Sequence, residues 1–306
     1  MKSKILYYLI FIFAFKSFGQ LKDSTQIEIL PKWELNDFSK VKIKILEREV
    51  VNKKANNSIV MFYANYKVVE KNIEGYILCW TMNNFELKEG QLSKRQVVLS
   101  KLLNQEILIK FSTYGEYVEV LNFEQIILNA NKIIDGFLGK KLSTNEKLSW
   151  QILKETIASK YGVESELLQI IRNYFVPFGH KYPLNVEMNY DLKYPNIFNG
   201  KEPFDAIEKV KLSILEANKN IYLIDSNQVI DAKQISSDLI LMLKSKLNYN
   251  QKEISSIVNK YNVGINENKK YYLDSVKGQL QKLIIKRRTN LIFMDTDFEY
   301  TYTTMI

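Results

Sequence analysis

The 306-residue chain is 46% hydrophobic and 25% charged, the balance of a globular protein rather than a disordered one. Its formal charge is +9, but the basic residues are scattered, so the basic, aromatic-interleaved face that nucleic-acid binding needs is not expected. One cysteine, Cys79, excludes an internal disulfide and a cysteine zinc site.

Residues 1–19 read as a secretory signal peptide. Lys2 and Lys4 supply a positive start, residues 5–15 form an unbroken apolar run of eleven, and Ser17 and Gly19 place small residues at the −3 and −1 positions, predicting cleavage before Gln20. The run is much shorter than the ~20 apolar residues that span a bilayer. No cysteine stands at the junction for lipidation. Without Lys2, Lys4 and Lys16 the net charge falls from +9 to +6. The expected location is exported: periplasmic, outer-membrane-associated or extracellular, with no transmembrane helix in the mature chain. The abundance of Lys, Asn and Ile, the scarcity of Gly and Pro, and the Ser17-Phe18-Gly19-Gln20 end resemble uncharacterised exported proteins of AT-rich, flavobacterial-type Gram-negative bacteria. That resemblance rests on signal and composition, and implies only an envelope or secreted location.

Residues 20–39 read as a lead-in arm. Val41, Ile43 and Ile45 then alternate with Lys40, Lys42 and Lys44, the period-2 signature of a half-buried strand. Two β-rich runs, 61–70 and 76–82, are joined by Lys71-Asn72-Ile73-Glu74-Gly75 and predict a hairpin. Ile107, Ile109 and Phe111 alternate up to a turn at Tyr114-Gly115-Glu116, which leads into residues 117–121. Ile126, Ile127, Ala130, Ile133, Ile134 and Phe137 mark one face of a helix, with Asn122 and Gln125 as its capping box. A second helix starts at Ser143 with Glu146 and runs to Gly162, and a third covers 164–175 and stops before Pro177.

Strand-like runs follow at 185–192, 208–215 and 221–224. Asp231 with Gln234 caps a helix carrying Ile235 and Leu239, and Asn250 with Glu253 caps another. Strands at 279–286 and 291–303 close the chain, with Lys286-Arg287-Arg288 read as the solvated tip between them or as a site for an anionic partner. The predicted class is α+β, antiparallel sheets with helices packed on one face. The division is 20–178 and 179–306. Ile157-Ala158-Ser159-Lys160-Tyr161-Gly162-Val163 is echoed by Ile257-Val258-Asn259-Lys260-Tyr261-Asn262-Val263, from a duplication or from chance in a Lys/Asn/Tyr-rich chain.

Chemistry-bearing motifs are missing. There is no G-x-S-x-G elbow, no H-E-x-x-H and neither phosphate-binding glycine fingerprint. The one histidine, His180, lies in a loop, and one histidine cannot build a two-histidine metal site. Asp225-Ser226-Asn227 and Asp295-Thr296-Asp297 are incomplete calcium fragments. Cys79, in an apolar strand, reads as a small buried hydrophobe. No catalytic residue, metal ligand or cofactor is therefore assigned, and the ligand-binding residues are unspecified. The 19 Tyr and 16 Phe fit a packed core or a concave sheet face for an apolar or carbohydrate ligand. The expected function is an exported, non-enzymatic binding or carrier protein for an apolar or lipid-like ligand or an envelope partner. The alternatives are an envelope hydrolase using acidic residues and a structural or adhesive envelope protein.

Overall fold

A computed structural model describes residues 25–51, 54–194, 203–216, 220–247, 255, 258, 263–291 and 294–305. The expected signal peptide and the expected cap at Asn250 and Glu253 lie outside the described residues. Alternation along the chain builds two antiparallel meanders. The first is β2 (Phe38–Val51), β3 (Lys54–Asn72), β4 (Gly75–Glu89), β5 (Ile107–Phe111) and β6 (Tyr117–Val120). The second is β8 (Glu187–Tyr194), β9 (Phe204–Glu216), β10 (Ile221–Ile230), β11 (Gly264–Asp274), β12 (Gln279–Leu291) and β13 (Met294–Met305). β13 lies antiparallel against β2, from Met294 opposite Val51 to Met305 opposite Lys40, and this pairing fuses the meanders into one 11-stranded sheet. Two short strands, β1 (Gln26–Glu28) and β7 (Lys181–Pro183), form a separate ribbon. Residues 20–178 supply β1 to β6 and residues 179–306 supply β7 to β13, so the main sheet runs through both without a break.

The helices are α1 (Lys94–Lys101), α2 (Phe123–Leu138), α3 (Thr144–Thr156), α4 (Lys160–Gly162), α5 (Gln169–Phe175) and α6 (Ala232–Leu247), with a π-helical turn at Val163–Leu167 before α5. The α+β class with antiparallel strands stands as expected. Ser143 and Glu146 form the anticipated reciprocal cap on α3. Asp231 Oδ1 accepts from the backbone N–H of Lys233 and Gln234 at the start of α6.

The large core joins Val41, Ile43, Phe62 and Trp80 of the first meander, Tyr271, Leu283 and Tyr302 of the second, and Ile126, Ile134 and Phe175 of the helices. Trp33 is driven into it, edge-on to Tyr76, Phe111 and Phe175. A second, smaller core gathers Ala206, Ile230 and Ile265 around Ile235 and Leu239 of α6.

The structure departs from the sequence reading at five places. Residues 25–39 are more than an arm, since they hold β1 and bury Ile29 and Trp33. The helix begun at Ser143 breaks after Thr156, where the Ser159 side chain accepts from Gly162 N–H and starts a new turn. Asn122 caps nothing: its Oδ1 accepts from Leu108 N–H and its Nδ2 donates to the Glu106 carbonyl, pinning the start of β5. α1 and β11 went unforeseen. Lys286-Arg287-Arg288 is no hairpin tip but the middle of β12, with Arg287 buried against Glu267.

Candidate functional site

At one level across the sheet, the face that packs the core changes from hydrocarbon to charge. Successive residues on a strand point to opposite faces, so every second residue shares one. On β2 that face reads Val41, Ile43, Ile45, then Glu47; on β3, read backwards, it is Ala64, Phe62, Val60, then Ser58. On β12 it is Leu283, Ile285, then Arg287, and on β11 Tyr271, Lys269, then Glu267. The registers place Ser58, Glu47, Phe298, Arg287, Glu267, Gln228 and Glu208 side by side across seven strands.

Glu267 is the hub of this row and is only 4% exposed. Lys269 Nζ lies 2.8 Å from its Oε1. Arg287 reaches its Oε2 with Nε at 2.6 Å and also with Nη2. Burial pushes the carboxyl's pKa up, but the Lys269 ammonium and the Arg287 guanidinium outweigh it and hold it at about 2. Burial opposes the charge on Lys269 too, and the carboxylates of Glu267 and Glu208 overcome it and raise its pKa. Ser226 Oγ donates to Glu208 at 2.5 Å. Three strands from Glu267 the logic reverses at Glu47. Burial, then the neighbouring Glu49, raises its pKa, with Arg95 opposing, and Gln96 of α1 donates to its Oε2 at 3.0 Å.

A trough of about 550 Å³ follows this row across the strands. Residues of both parities line it: Ser58, Glu47, Phe298, Arg287 and Glu267 from the row and, among others, Arg48, Asn57, Asn266 and Asp297 from positions that belong to the opposite face of the sheet. The Phe298 ring stacks on Tyr300 with centroids 6.3 Å apart and sits between Glu47 and Arg287 in the register. The trough therefore offers an aromatic surface with a carboxylate on one side and a guanidinium on the other.

Glu47 and Glu267 have pKa values pushed apart, the mark of an acid and base pair. Their strands are three steps apart, however, and at ~4.8 Å per step the backbones are about 14 Å apart.

Of the residues singled out from the sequence, Asn227, Lys286, Arg287, Arg288 and Asp297 line the trough and the others lie elsewhere. His180 sits beside β7, where burial lowers its pKa against the opposing charges of Glu116 and Glu208, and its backbone carbonyl accepts from Ile29 N–H. Cys79 is half-buried on β4, and burial raises its thiol pKa, which is the opposite of nucleophile activation. Asp225 pairs with Lys270 and Asp297 with Arg288, as strand residues rather than calcium loops. Among the described residues no group of three or more His, Cys, Asp or Glu is placed to hold a metal ion, and no helix is long and apolar enough to cross a membrane. Glu47, Glu208, Glu267 and Lys269 were missed. The signal for them was strand parity: each is a charged residue at a position where alternation calls for a hydrophobe.

No family model and no curated protein matches the chain. Among solved structures it is similar to lipovitellin, from a structure concerned with lipid–protein interactions, at 6% identity and a TM-score of 0.47. That match covers 90% of this chain and 26% of lipovitellin, so the chain spans about a quarter of its length. A porin-like protein from Bacteroides uniformis matches at 9% identity and a TM-score of 0.18, over 90% of this chain and 99% of that one. At these scores neither likeness carries an argument.

Proposed function

We propose that the protein is an exported, non-enzymatic binding or carrier protein of the cell envelope, and that the trough across the sheet holds its ligand. The observation that carries this reading is a trough whose lining includes the ion-paired Glu267 and Arg287 together with Glu47, whose Oε2 accepts from Gln96. Burying charge is costly, and hydrophobes of like volume at the same positions are often neutral or stabilising. A charged row that faces a trough is explained by what it recognises. The residues that line it are mostly polar or charged while the surface they present is mainly apolar, so a ligand of one character alone does not suit it. A lipid-like amphiphile does, with an apolar part over Phe298 and polar groups reaching Glu47 and Arg287. We infer that the helices cover the same face on either side of the trough, α1 to α5 through the large core and α6 through the small one. Ile265 of the small core and Tyr271 of the large one share their parity on β11, which supports this arrangement.

The test is native mass spectrometry with solvent extraction on protein purified from an envelope fraction. A bound amphiphile is expected, with lower occupancy in Glu47→Gln, which keeps the Gln96 contact but loses the charge. Consistently bare protein, with no thermal shift on adding amphiphiles, overturns the reading. A ligand at a hundredfold its Kd adds ~2.7 kcal/mol of stability, enough to see.

A further inference from the structure

Several of the exposed hydrophobes of this chain gather at one end of the sheet. Residues 29–35 cross one end of the sheet and gather three separate turns. Gly115 and Gly278 sit so close to this segment that a Cβ would lie 2.5 Å from the Pro31 ring and 2.7 Å from Lys32 N. Lys32 Nζ donates to the Val276 carbonyl at 2.9 Å. The β3–β4 hairpin is tied in by Lys71, whose Nζ donates to the Trp33 carbonyl at 3.1 Å and pairs with Glu34 at 2.8 Å. Each turn, and the segment itself, presents a large apolar side chain to water: Ile73 is 95% exposed, Val276 58%, Tyr114 56% and Leu35 54%. Single exposed hydrophobes need no explanation, but a set brought together at one end of a molecule marks a contact surface.

The sheet face that meets this end is basic. Lys40, Lys42 and Lys44 lie on the outer side of β2, Lys67 is opposite Phe38, and Lys282 is two strands from Lys42. Among the described residues none of these five ammoniums has an ion-pair partner, although Lys40 lies over the Tyr63 ring and Lys282 over the Tyr272 ring, whereas neighbouring Lys270 and Lys286 are paired with Asp225 and Glu299. Phe38, 63% exposed, stands between Lys67 and Lys40 and joins the apolar end to the basic face. Of the acids here, Glu34 and Glu74 are neutralised by Lys71 and Lys110. Among the described residues Asp37, Glu70 and Glu116 have no ion-pair partner, and these three acids are fewer than the five lysines without one.

We propose that this end docks on an anionic lipid bilayer, with the apolar turn tips entering the headgroup region and the lysines facing the charged surface. A soluble polyanion would use the lysines and leave the tips idle, while a neutral apolar partner would do the reverse. An anionic bilayer uses both, because interfacial binding adds apolar burial to electrostatic attraction. The site is separate from the trough and does not rest on the ligand reading.

Flotation of the chain from Gln20 onward with vesicles tests it, using phosphatidylcholine alone and with about a third phosphatidylglycerol. Binding is expected to the anionic vesicles and to fall at high salt. The double variant Ile73→Asp, Val276→Asp and the triple variant Lys40→Glu, Lys42→Glu, Lys67→Glu are each expected to bind about tenfold more weakly or worse. All these positions are exposed or on a sheet surface, and an unchanged melting transition confirms folding. Absence of binding, equal binding to neutral vesicles, or binding to dextran sulfate with parental vesicle binding in the tip variant overturns the proposal.

Discussion

Glu267 is held as an anion inside the protein by two cations, and that fixes what its loss does. Removing it leaves Lys269 and Arg287 buried without a counterion, and breaking such a cluster costs about 3–5 kcal/mol. Glu267→Gln is therefore expected to lower the unfolding free energy by that order, read from urea unfolding at neutral pH. The pH dependence carries a sign. The folded pKa is depressed from 4.5 to about 2, so the stability it brings is complete above the unfolded value and is lost as pH falls through about 2. Between pH 5 and 2 the parent is expected to lose roughly 3 kcal/mol from this group, and Glu267→Gln to lack that component. Replacing the whole triad, as Glu267→Leu with Lys269→Met and Arg287→Met, removes cost and attraction together. It is expected to melt within a few degrees of the parent while ligand occupancy falls, which separates a recognition role from a structural one.

At the scale of single elements, the β3–β4 hairpin depends on Gly75. Its φ of +138° is closed to other residues, and a Cβ there would lie 2.1 Å from the Phe111 carbonyl oxygen on β5. Gly75→Ala is expected to cost about 1–3 kcal/mol by thermal or chemical unfolding, because both the turn and the β4–β5 pairing must shift. This hairpin was legible in the sequence, as were the alternation in β2, the apolar face of α2 and the Ser143 cap, because each is written within a dozen residues. β11 was not. Its inward positions run Ile265, Glu267, Lys269, Tyr271, so the buried charges erase the apolar alternation that announces a strand. Arg287 cut the predicted strand at 279–286 short in the same way and turned the interior of β12 into an apparent tip. The features that make the candidate site also made it unreadable, since a sequence shows a charge but not its partner twenty residues away. Asn122 was misread for a related reason: its spacing from Gln125 matches a cap, but its amide is spent on β5.

At the scale of the whole molecule, the β2–β13 pairing decides how the chain unfolds. Without it each meander would carry a long unpaired edge, a template for aggregation. The contacts across this join are core contacts. Tyr174 donates to the Leu280 carbonyl at 3.1 Å and bonds Thr304 Oγ1 at 2.7 Å, and its ring abuts Tyr302. Gln279 Nε2 donates to Ser39 at 2.7 Å. The large core draws on both meanders, so the two are expected to unfold as one cooperative unit. All three tryptophans, Trp33, Trp80 and Trp150, report on residues before 178, and a dye on Val276→Cys in a Cys79→Ala background reports on the second meander. Their urea transitions should coincide with each other and with the far-ultraviolet dichroism, and residues 20–178 expressed alone should not fold. Two separated transitions, or a folded and soluble N-terminal piece, would mean that each half holds its own core and that the shared strands only dock.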